Sequence, residues 1–80
     1  MEKLIIMSKL EKLEKIRKEL KISRRELGDI SGVSPKTIEA LECGFTDIYN
    51  TKLLTLVELA KALNVKVIDL VPNDIKKDIA

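Results

Sequence analysis

Apolar residues in this chain recur at the spacing of helix faces, and between them stand the residue types that start and stop helices. Ser8 and Glu11 have the S-x-x-E spacing of a capping box, in which the serine oxygen accepts from an orphan backbone N–H and the glutamate reaches back to the cap. Leu10, Leu13, Ile16 and Leu20 follow as one stripe and predict a first helix. Ser23 and Glu26 repeat the box directly after that stripe, so a second, short helix begins almost at once, with Leu27 and Ile30 as its buried face and Gly32 as a left-handed stop. Ser34 caps a third helix with Pro35 at its first position, where the missing N–H of proline costs nothing. Ile38 and Leu41 point inward there, and Gly44 ends the helix after about ten residues.

A loop from Phe45 to about Asn50 precedes a fourth helix, capped by Asn50 or Thr51, with Leu53, Leu56, Leu59 or Ala60, and Leu63 along one side and Asn64 as its stop. The stretch from Val65 to Val71 alternates only in part. A lone strand there has no partner unless Leu4–Met7 supplies one, so a short fifth helix ended by Pro72 is the expectation. No repeat, low-complexity tract or Pro/Gly-rich linker divides the 80 residues, which make one small-core domain. The predicted fold class is all-α, a compact bundle of about five helices.

Composition narrows the chemistry. Hydrophobic residues are 45% of the chain and almost wholly aliphatic, with Phe45 and Tyr49 the only aromatics. Histidine is absent and Cys43 is the single cysteine, so no His/Cys zinc set, Cys–His nucleophile pair or intramolecular disulfide can form within one chain. No enzymatic activity, cofactor or metal is expected. Leu4–Met7 is far shorter than a signal h-region or a membrane span, so no membrane partner is expected and a cytoplasmic location is. The net charge of +2 is too mild to imply a polyanionic partner by itself, but its distribution is uneven: residues 15–36 sum to +4, whereas residues 37–80 sum to −2.

The second and third predicted helices are joined by only a few residues around Ile30–Ser34, which sets two short helices at a steep angle, as in a helix-turn-helix. Gly28, without a side chain, lets helix 3 pack close to helix 2. Such a turn projects the first half of helix 3 outward, where a helix can enter a DNA major groove.

On these residues the chain resembles the lambda-repressor-like, or Xre-type, helix-turn-helix family. The likeness spans residues 13–71 and is carried by Leu13-Glu14-Lys15-Ile16-Arg17, Ser23-Arg24-Arg25-Glu26-Leu27, Gly32-Val33-Ser34, Thr37 through Gly44, and Leu56 through Leu63. It leaves residues 1–12 as an extension and 72–80 as a tail. The resemblance implies a sequence-specific DNA-binding regulator, expected to be a repressor, which binds an operator (expected to be an inverted repeat) in double-stranded DNA as a homodimer. It also implies that Arg17 and Glu42 pair beneath the recognition helix. Two departures stand out: ten residues separate Gly44 from Thr55, about three more than is usual, and Gly28 occupies a position where the family usually has alanine.

The expected DNA-binding residues are Arg24, Arg25, Ser34, Pro35, Lys36, Thr37, Ala40, Asn50 and Lys52. Arg24 opens helix 2, where an arginine opposes the macrodipole unless an anion is bound, so a phosphate contact is expected. Lys36 can donate to guanine O6/N7 or to phosphate, and Thr37 to either. Pro35 and Ala40 offer only apolar contact, as to a thymine methyl, so direct readout is expected to be modest and DNA shape to contribute more. Cys43 is expected to be a small, partly buried residue, and Phe45, Ile48 and Tyr49 to form a satellite core, contact a partner subunit or line the DNA backbone through the Tyr49 hydroxyl. Leu4–Met7 packs on the bundle or forms a dimer contact. The alternative function is the same fold used as a protein-interaction module, such as an antitoxin or a regulator-binding subunit.

Overall fold

The computed structural model describes residues 10–46 and 51–72, within which there are four α-helices and no strand. They are α1 (Glu11–Glu19), α2 (Arg24–Ser31), α3 (Pro35–Cys43) and α4 (Leu53–Leu63), followed by a single 3₁₀ turn at Val67–Asp69 where a fifth helix was expected. That turn still seats Leu70 and Val71, both fully or almost fully buried. α2 packs on α3 and α4, α1 packs on α3, and the 3₁₀ turn packs on α4. Leu10, Leu13, Leu27, Ile38, Leu41, Leu59 and Leu63 form the centre of one aliphatic core.

Most helix ends follow the local signals. The Ser23 hydroxyl accepts from the Glu26 amide at 3.0 Å while the Ser23 amide donates to Glu26 Oε1 at 2.7 Å, so the capping box of α2 is complete. Ser23→Ala removes the acceptor and is expected to lower stability by about 1 kcal/mol, read by thermal or denaturant unfolding. Gly32 and Gly44 stop α2 and α3 in the left-handed region at φ +79°, and Asn64 stops α4 at φ +59°. Ser34 accepts from the Lys36 amide at 3.1 Å with Pro35 at the first helical position.

Several expected placements are corrected. The cap position of α1 is Leu10, which makes no side-chain capping bond, and Ser8 lies outside the described residues. Leu20 is half exposed because α1 ends at Glu19 and the chain turns through Lys21 in the left-handed region, passing the inward place to Ile22. Ile30 is 61% exposed because the inner face of α2 is centred on Leu27, Gly28 and Ser31. α4 begins from Lys52 with no side-chain cap, not from Thr51; Asn50 lies outside the described residues. Leu53 is exposed, since the packed part of α4 starts a turn later at Leu56. Phe45 is 77% exposed: its amide closes the end of α3 on the Ala40 carbonyl at 2.8 Å, which carries its ring outward and not into a satellite core. Ile48, Tyr49 and the Leu4–Met7 segment lie outside the described residues.

Candidate nucleic-acid interface

The turn between α2 and α3 is built from backbone and small side chains. Gly32 supplies the left-handed residue, and the buried Ser31 hydroxyl accepts from the Val33 amide at 3.1 Å. Gly28 lies at the close approach: a Cβ there would stand 2.8 Å from the Val33 carbonyl oxygen and 3.2 Å from Cδ and Cγ of Pro35. The glycine that departs from the family's usual alanine is thus matched by a proline ring and a carbonyl occupying the space of the missing methyl.

With Ile38, Leu41 and Glu42 buried, α3 and its cap leave Ser34, Pro35 and Lys36 exposed, and Thr37 and Ala40 are half-buried beside them. Arg25, in the first turn of α2, and Lys52, before α4, are also exposed. An open cleft of about 280 Å³ lies between the Ser31–Ser34 turn and α4, lined on the α4 side by Leu54, Thr55 and Glu58. The Glu58 carboxylate makes the α4 side of the cleft unsuited to a phosphate, so of its lining only Ser34 and Thr37, on the α3 side, belong to the candidate surface with the cation-bearing positions.

Beneath α3 lies a charged cluster. Arg17, 7% exposed, donates from Nε to Glu42 Oε2 at 2.7 Å and from Nη2 to Glu42 Oε1 at 3.0 Å, a two-pronged contact. Its Nη1 donates to the Ile22 carbonyl at 2.9 Å, which ties the turn after α1 to the same group. Arg24 does not stand free at the start of α2: its Nε donates to Glu42 Oε1 at 2.8 Å, its Nη1 lies 3.9 Å from Glu39 Oε2, and its Nη2 lies 3.9 Å from Cys43 Sγ. The hydrogen bond to Glu42 holds the Arg24 guanidinium protonated still more firmly than an ordinary arginine.

The structure therefore brings Arg17, Arg24 and Glu42 together and leaves Arg25, Ser34, Lys36 and Lys52 on the surface. Glu39 and Cys43 as partners of Arg24 were not expected from the sequence, although Glu39, Glu42 and Cys43 share one helix face by their spacing. Cys43 itself is exposed, not partly buried, because it occupies the last position of α3. Among the described residues no His/Cys/Asp/Glu group is arranged to hold a metal, and no helix is long and apolar enough to cross a membrane.

Comparison with known proteins adds three findings. No protein in the curated set matches the chain significantly in sequence. The crystal structure of the restriction-modification controller protein C.AhdI from Aeromonas hydrophila is similar at a TM-score of 0.67 and 25% identity, over 75% of this chain and 86% of that one. Residues 13–70 match the helix-turn-helix family profile. With the capped, glycine-hinged helix pair at Arg24–Cys43 falling inside that match, the chain belongs to the lambda-repressor-like, Xre-type helix-turn-helix family.

Proposed function

We propose that this protein is a transcription regulator that binds double-stranded DNA, acting as a repressor from an inverted-repeat operator as a homodimer. Membership of a helix-turn-helix family supports the DNA-binding part, and the likeness to a restriction-modification controller supports a regulatory one. The observation that carries the reading is the two-faced α3: Ile38, Leu41 and Glu42 anchor it while Ser34, Pro35 and Lys36 stand in solvent. In this reading α3 lies in the major groove. Lys36 donates to a guanine edge, Thr37 donates to a base or phosphate, Pro35 and Ala40 make apolar contact, and Arg25, Ser34, Asn50 and Lys52 meet the backbone. No enzymatic role is assigned.

Selection of bound duplexes from a random pool tests this directly. An enriched inverted repeat is expected, and absence of any enrichment overturns the proposal. On the selected duplex, Lys36→Ala is expected to relax preference at one base pair by about 1–3 kcal/mol. Arg25→Ala and Lys52→Ala should instead weaken all sequences alike and reduce the salt slope by about one each. If Lys36→Ala leaves the selected sequence unchanged, the docking of α3 is wrong.

A second reading, the fold as a protein-interaction module, draws on the exposed Phe45, Leu53 and Leu54. Salt separates the two. DNA affinity falls steeply with salt as counterions are released, whereas an apolar protein contact holds.

A further inference from the structure

We infer that Arg24 is a positioning residue, which clamps the first turn of α2 to the second half of α3 through Glu42 and thereby sets the angle at which α3 meets DNA, instead of serving as a phosphate ligand. The inference rests on the DNA-binding reading and deepens it. Three contacts point the same way, toward Glu42 at 2.8 Å, Glu39 at 3.9 Å and the Cys43 sulfur at 3.9 Å, and all three belong to α3. The Glu42 carboxylate is fully buried, so the bond is sheltered from water and salt on one side, even though the Arg24 side chain keeps 32% of its exposure.

The dipoles explain why an arginine is suited to this place. At the N-terminus of its own helix it is unfavourable, but its guanidinium lies against the last turn of α3, where the negative end of that helix favours a cation. Glu42 bonded to Arg17 alone would hold the C-terminal half of α3 to α1; with Arg24 it holds α2 as well. The two helices of the motif are thus fixed at both ends: by Gly28 against the Val33–Pro35 segment at the turn, and by Arg24 against Glu42 away from it.

The two roles of Arg24 leave different signatures. A phosphate ligand adds about 0.9 to the slope of log affinity against log salt and contributes equally on every sequence. A positioning residue leaves that slope intact and changes discrimination, because a tilted α3 loses base contacts on the right sequence only. The experiment measures wild type, Arg24→Gln and Arg24→Lys on a duplex selected by the wild type and on a scrambled duplex of equal length, across a salt series. Expected are a ratio of specific to non-specific affinity lower by about tenfold in both variants, of the order of one lost base contact, with unchanged salt slopes. Lysine should not rescue, since it has the charge but not the guanidinium fork. A slope reduced by about one in Arg24→Gln, restored by Arg24→Lys, with the ratio preserved, overturns the clamp. If the wild type selects no duplex, the DNA-binding reading fails separately. The clamp then stands or falls on melting: Arg24→Gln must lower Tm by several degrees, and an unchanged Tm overturns it.

Discussion

Glu42→Leu is expected to lower folding stability by about 3–5 kcal/mol, because it leaves two guanidinium groups without their acceptor and one of them is buried. Arg17 is 7% exposed and, without Glu42, keeps the Ile22 carbonyl as its acceptor among the described residues. Against the roughly 5–15 kcal/mol that holds a domain together, and at about 4–8 °C of melting temperature per kcal/mol for a chain of this size, the variant should melt at least ~12 °C below wild type. Thermal unfolding by circular dichroism reads this. Arg17→Leu should lose stability and operator affinity too, but less stability, since Glu42 retains Arg24 at 2.8 Å. The double replacement Arg17→Leu with Glu42→Leu should recover much of the loss, because no buried charge then remains unpaired. Glu42→Leu melting like wild type would show that the cluster does not hold α3.

Gly28→Ala should be destabilising by about 1–3 kcal/mol, contrary to the usual gain when a helical glycine becomes alanine. The added methyl would meet the Val33 carbonyl oxygen at 2.8 Å, and that atom is backbone and cannot rotate away. It would also press on the Pro35 ring at 3.2 Å, so Pro35→Ala in the Gly28→Ala background should recover part of the loss by giving the methyl room on one side. Chemical denaturation of the three variants measures the balance. A Gly28→Ala protein more stable than wild type would mean that the turn relaxes freely, and the close approach would then have no energetic weight.

The parts of the fold that could be read from the sequence are those fixed within a few residues. Ser23 with Glu26, Gly32, Ser34 with Pro35, Gly44 and Asn64 each act on neighbouring backbone, and each stands where the punctuation placed it. Periodicity, in contrast, gives a helix face without giving the extent of the surface that covers it. By periodicity Leu20, Ile30 and Leu53 belong inward, but they lie at helix ends or to the side of the packed face. The fifth helix shrank to one 3₁₀ turn for a related reason: seating Leu70 and Val71 against α4 needs only that much structure. At the candidate site, an arginine at the start of a helix is anomalous by the helix dipole, but its contact with Glu42 could not be read from the sequence, because Glu42 is 18 residues further along and no local rule reaches it. The Arg17–Glu42 pair was accessible only through the family resemblance, since a 25-residue separation carries no local signal.

Leu10 is wholly buried, and its amide donates to the Leu41 carbonyl at 2.9 Å, while Val71 is buried at the other end of the described core. Both lie outside the family-matched segment 13–70. The buried core thus extends past both ends of the stretch with recognisable kinship. An excised fragment or a domain graft cut at the kinship boundaries would lose the buried Leu10 and Val71 side chains and the Leu10–Leu41 backbone bond, so the cuts belong upstream of Leu10 and downstream of Val71.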